Sequence, residues 1–182
     1  MSFYSKIKIC ILVPCVAFLC YLHLYSKAFF RENIETKWTK LTWDHFQGIV
    51  KPFSPYSASI YSEIKVSYDT ISDRYISYAI QENQFSWKKS SVGDDKHLLR
   101  HEQYHFNLTE YYSRRMNSFL RVNNIESTDD FMGELNRLSK ELGKAQNLYD
   151  TETNHNLNTE EQKRWEAKID SMLKETNLLY EQ

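Results

Sequence analysis

The spacing of apolar residues changes once along this chain. In "SASIYSEIKVSY", Ile60, Ile64, Val66 and Tyr68 fall on alternate positions, and "YISYAIQENQFSW" sets Tyr75, Ser77 and Ala79 against Ile76, Tyr78 and Ile80. A period of two puts successive side chains on opposite faces of a strand. Asp69 to Arg74 supply turn residues between the two runs, so a hairpin is predicted. From Asp94 onward the spacing becomes helical. Leu98, Leu99, His101, Glu102, His105, Phe106, Leu108, Tyr112 and Met116 recur at helical intervals, behind Asp94 or Asp95 as the cap. A second helix is predicted from Ser127-Thr128-Asp129-Asp130 to Tyr149, with Phe131, Leu135, Leu138, Leu142, Ala145 and Leu148 along one side. A third opens at Thr159-Glu160-Glu161 and carries Trp165, Ile169, Met172, Leu173 and Leu178. Antiparallel strands first and three helices afterwards is the α+β order, not the alternation of a parallel α/β sheet.

The rest of the chain narrows the chemistry. The lead-in "RENIETKWTKLTWDHFQGIVKPFSPYSA" is punctuated by Gly48, Pro52 and Pro55, and Trp43-Asp44-His45-Phe46 reads as a turn or short helix. At 182 residues, 41% apolar and 26% charged, the chain suits one packed domain rather than a disordered one. A formal net charge of −1 and no basic stripe argue against nucleic acid as a partner. Lys6 and Lys8 precede the apolar run Ile9 to Tyr25, and Ser26-Lys27-Ala28 offers a small-x-small cleavage site. Residues 1–28 are therefore predicted to be a signal peptide or an N-terminal membrane anchor. Residues 29–182 then form the domain outside the cytoplasm, periplasmic or secreted, touching the membrane only through that segment. All three cysteines, Cys10, Cys15 and Cys20, lie inside the apolar run. A metal site in the domain must use His, Asp or Glu.

His101-Glu102-Gln103-Tyr104-His105 fits H-E-x-x-H. Residues four apart share one helix face, so His101 and His105 can chelate one ion. Glu102 lies about 100° round the helix, placed to act as general base and then acid. A catalytic zinc takes three protein ligands and lowers the pKa of a fourth, water ligand to roughly 7. Zn2+ is thus the predicted cofactor. The third ligand must come from beyond the helix. His155 is the one histidine downstream, and it is predicted to be that ligand, with Asp150 as its main rival. If His155 binds, Asp150 is free to orient a ligand ring. If Asp150 binds, His155 or Tyr149 is placed to stabilise a tetrahedral oxyanion. His97 reads as an exposed residue at the helix start.

"LTWDHFQG" (Leu41 to Gly48), "FSW" (Phe85 to Trp87), "LLRHEQYHFNLTEYYSRRM" (Leu98 to Met116) and "YDTETNHNLNTEEQKRW" (Tyr149 to Trp165) occur in that order. Together they resemble a bacterial family described as predicted secreted zinc-dependent proteases, otherwise a numbered domain of unknown function, nine-twenty-two. The resemblance spans about Leu41 to Leu173. It implies a zincin-like metallopeptidase with His101 and His105 as ligands and Glu102 as catalytic acid/base. The chain departs from the family pattern at Asn107, where an Asp is common, and at Asn156, where a Gly is common. In zincins the strand before the active-site helix receives substrate as an added strand. By analogy "YISYAIQENQFSW" is the expected groove edge. The expected function is hydrolysis of peptide or protein substrates outside the cytoplasm. The alternative is a non-catalytic, zinc-stabilised envelope binding or assembly module, whose metal would be closed by four ligands including both Asp150 and His155.

Overall fold

The computed structural model describes residues 34–51 and 53–178, so the predicted export segment 1–28 lies outside the described residues. The architecture is mixed α+β, with small antiparallel sheets followed by three helices. The strands are β1 (Glu35–Lys37), β2 (Ala58–Ser59), β3 (Ser62–Asp69), β4 (Arg74–Glu82) and β5 (Trp87–Lys88). The helices are α1 (Lys96–Val122), α2 (Asp129–Thr153) and α3 (Thr159–Leu178). Single-turn 3-10 helices occupy Trp43–His45 and Ser90–Val92.

The predicted hairpin is β3–β4, in a register that sets Ser62 opposite Gln81 and Asp69 opposite Arg74. Its turn is held by Asp69, whose carboxylate accepts from the backbone of Ile71 and Ser72 at 3.2 and 3.3 Å. β1 pairs with the other side of β4, giving the order β1-β4-β3. This corrects one expectation. The strand expected to form the groove edge is the middle strand, paired with β3 along its length and with β1 at Ile80–Glu82, and its residues do not line the cavity that opens beside His101 and His105. Each long strand is also shorter than its apolar run. The first breaks at Ile60 and Tyr61, whose N–H groups go to the side chains of Glu102 and Ser86, both at 2.9 Å. The second turns at Asn83–Phe85 before β5, which pairs with β2 in a separate two-stranded ladder.

α1 is the central element. Its β-facing side packs on β3 and β4, and its other side on α2 and α3. Leu108, Tyr112 and Met116 join Leu138, Leu142, Tyr149, Trp165 and Ile169 in the main core. Phe106 points the other way, into a smaller cluster with Leu41, Phe46 and Ala79. That cluster fastens the lead-in to the helix, reinforced by the Gln103 side-chain oxygen, which accepts from Leu41 N at 2.7 Å. A helix buried this completely is fixed in rotation, which matters because its remaining face carries the histidines. Among the described residues no helix is long and apolar enough to cross a membrane.

Candidate metal centre

Asp95 starts α1 by capping it, accepting from His97 N and Leu98 N at 2.9 and 3.0 Å. Two turns later His101 and His105 present their Nε2 atoms 3.2 Å apart. α2 runs four residues beyond its predicted end at Tyr149, to Thr153, so Asp150 sits in its last turn and not in a connection. There its Oδ1 lies 3.1 Å from His101 Nε2 and 3.0 Å from His105 Nε2. Tyr149, fully buried, stacks on His101 at 4.6 Å and 21° and meets His105 edge-on at 4.9 Å. Packing, then, sets both ring planes. Neither Nδ1 has a hydrogen-bond partner among the described residues.

Hydrogen bonds within the triangle of His101, His105 and Asp150 leave the buried rings half satisfied. If both rings donate Nε2–H to Asp150 Oδ1, both buried Nδ1 atoms become acceptors with no donor among the described residues. If one Nε2 is unprotonated, its lone pair faces a carboxylate oxygen. A cation among the three atoms would accept both Nε2 lone pairs and the carboxylate together. Tetrahedral coordination with bonds of about 2.0–2.1 Å sets ligand atoms roughly 3.3 Å apart, close to the 3.0–3.2 Å seen here. The donor set, two imidazoles and one carboxylate, also suits zinc. These residues could hold a metal.

Charge is distributed unevenly around the triangle. Burial pushes the His101 imidazole down, outweighing its bond to Asp150. Burial acts on His105 too, but the Asp150 hydrogen bond and charge, with Glu102, carry it upward. Burial opposes ionisation of Asp150, yet the two histidine bonds hold its carboxyl well below the usual range. Glu102 is 4% exposed, and burial pushes it from 4.5 up to about 7, against the pull of His105 and the Ile60 N–H. It is thus poised to exchange a proton near neutrality.

His155, the predicted third ligand, stands just outside this group. Its Nδ1 is 3.4 Å from Asp150 Oδ1, and its half-exposed ring leans on Tyr56 at 4.6 Å and 49°. Asn154, His155 and Asn156 are all left-handed, with φ of 47, 50 and 75°. Asn156 thus holds a backbone conformation that glycine adopts without steric cost. The turn is pinned by His155 N to Asp150 O at 2.9 Å and by His97 Nε2 to Asn156 O, also 2.9 Å. His97 is exposed, as predicted, but it clamps this loop. Asn107 accepts from Trp38 Nε1 and Gln103 Nε2, both at 3.0 Å, and so serves the lead-in, not the histidines. Tyr149 is packed away from the cavity with its hydroxyl toward His101 O.

A cavity of about 760 Å3 opens onto the triangle. One wall is the backbone of Pro55 to Ile60, the other the left-handed turn and Leu157. Lys89 N bonds Ser57 O at 2.8 Å, so residues 57 and 59 are the ones turned toward β5. The N–H and C=O of Ala58 therefore point the opposite way, to the side where Ile60 N–H meets Glu102. Sequence reasoning missed this wall. Pro52 and Pro55 mark it only as punctuation, and its contribution is main chain, which leaves no residue signature. Family models, characterised proteins and solved structures give no match to this chain.

Proposed function

We propose that the protein is a zinc-dependent peptidase on a zincin-like framework, acting outside the cytoplasm. The observation that carries the reading is the convergence of His101 Nε2, His105 Nε2 and Asp150 Oδ1 beside the buried carboxyl of Glu102. Asp150, not His155, is the third ligand in this reading, which leaves the cavity side of the site open. An ion held there supplies charge for the attacked carbonyl and acidity for the attacking water. Glu102 takes the water's proton on the oxygen not bound to Ile60 N–H and returns it to the departing amine. Its raised pKa suits both halves of that transfer. His155, fixed beside Asp150 by the strained turn and the Tyr56 ring, donates to the developing oxyanion. The substrate main chain lies along Ala58–Ile60, where the outward N–H and C=O of Ala58 pair with an extended segment. The location outside the cytoplasm rests on the N-terminal sequence. Glu102→Gln should retain stoichiometric zinc and lose hydrolysis by at least a hundredfold. Unchanged turnover would rule the mechanism out.

A second reading, a closed and non-catalytic zinc site, is favoured by the nearness of His155 to Asp150. It requires His155 in the coordination sphere. X-ray absorption of the zinc-loaded protein would then count three imidazoles, where the peptidase reading gives two.

A further inference from the structure

The charges around the cavity bear on the substrate class, an inference that rests on the peptidase reading. Three charged side chains other than histidine line it, Asp95, Glu102 and Asp150, and all are acidic. Among the described residues no Lys or Arg lines it. The nearby cations are engaged elsewhere. Lys88 Nζ donates to Gly93 O and Lys89 Nζ to Ser54 O, both at 2.8 Å, and Arg100 pairs with Glu166. With a divalent ion bound, Asp150 and Glu102 would offset its charge, and Asp95, whose Oδ1 caps α1 through His97 N and Leu98 N, adds a further formal negative charge with no side-chain cation against it among the described residues. A substrate carboxylate entering this space gives up hydration and finds no cation but the ion itself. The walls offer main-chain groups at Ala58 and apolar contacts from Ile60, Val92, Leu98 and Leu157 instead.

We propose that the enzyme is an endopeptidase that takes an extended internal stretch with neutral or basic side chains, and that Asp95 turns acidic residues away from the cavity. A chain terminus has no recognition site here. A C-terminal carboxylate lacks a cationic partner, and the cavity, near the upper end of the range for small-ligand sites of about 300–1,000 Å3, admits several residues. Asp95 lies one to two turns before His101 on α1, so it reads side chains beside the scissile bond and not the bond itself. It is a specificity-determining residue, and because it is exposed its influence is screened by salt.

The test digests dephosphorylated β-casein with the zinc-loaded full chain and maps new termini by mass spectrometry over time. Internal cuts from the earliest points are expected, with Asp and Glu depleted within two residues of the cut. Asp95→Asn keeps the helix cap, since Asn caps as well as Asp. It is expected to raise cutting beside acidic residues about two- to fivefold relative to neutral sites at low salt, and the gain should vanish in 0.5 M NaCl. Binding gives a readout without turnover. Zinc-loaded Glu102→Gln, titrated with a fluorescein-labelled neutral peptide, should bind the C-terminal amide more tightly than the free acid. Ladders trimmed from either end, an unchanged acidic-to-neutral ratio in Asp95→Asn, or tighter binding of the free acid each overturn the inference and leave the peptidase reading standing. No cleavage at all by protein shown to carry zinc overturns both.

Discussion

Glu102→Gln in metal-free protein tests the electrostatics of the site apart from its chemistry. The wild-type carboxyl titrates near 4.5 when unfolded and at about 7 when folded. Below pH 4.5 both states hold the proton and burial costs nothing. Between pH 4.5 and 7 the unfolded chain releases it while the folded protein retains it, so stability falls as pH rises. The full penalty, about 3 kcal/mol at 1.36 kcal/mol per pH unit, is in place above pH 7. Glutamine carries no charge, and its side-chain oxygen can still accept from Ile60 N–H. At pH 8 with EDTA, Glu102→Gln is therefore expected to be more stable than wild type by about 2–3 kcal/mol. For a chain of this size that corresponds to roughly 5–10 °C in Tm. The gap should close toward pH 4.5, and zinc should shrink it at pH 8, because a nearby cation stabilises the carboxylate. Urea unfolding at several pH values measures the difference directly. A pH-independent gap, or a less stable variant at pH 8, would refute the reasoning.

Other perturbations probe separate features. Zinc at a hundredfold over its Kd is expected to stabilise wild type by about 2.7 kcal/mol, or roughly 5–10 °C in Tm. In a thermal-shift assay Asp150→Ala should lose most of that shift and His155→Ala should keep it. The reverse result would restore His155 as the ligand. Asn156→Gly should stay within about 0.5 kcal/mol of wild type, whereas Asn156→Val should cost about 1–2 kcal/mol, read by chemical denaturation. Gly48→Ala would set a Cβ 2.7 Å from Gln84 O and 2.8 Å from Ser86 O, both main chain. A loss of about 1–3 kcal/mol is expected, and an unchanged unfolding midpoint would show that the loop yields.

Much of this was legible because period and spacing are properties of neighbouring residues. The hairpin, the three helices and a cap at Asp94 or Asp95 follow from local pattern, as does the placing of His101 and His105 on one helix face. What escaped depends on contacts between distant segments. Nothing near Ile60 announces that its N–H leaves the ladder for Glu102, 42 residues on. Alternation in "YISYAIQENQFSW" marks a strand but not its place in the sheet, which β1 decides by pairing with its second edge. Which of Asp150 and His155 comes to lie against the two histidines turned on whether α2 stops at Tyr149 or continues one turn. The apolar positions end at Tyr149, while Asp150 to Thr153 stay helical through backbone bonds and the left-handed cap at Asn154.

If the triangle holds the proposed ion, the position of Asp150 also bears on when a newly made chain could acquire it. His101 and His105 emerge from the ribosome together, but the carboxylate that completes the triangle follows 45 residues after His105. Tyr149, which fixes both rings, is itself buried against Trp165, further along still. On the proposed reading, a nascent chain that has finished α1 would carry two unsupported imidazoles and bind zinc weakly. Tight binding would begin only after α2 and α3 have docked. Possession of the ion would then report that all three helices are in place, and a protein truncated after the second helix is expected to be made without it.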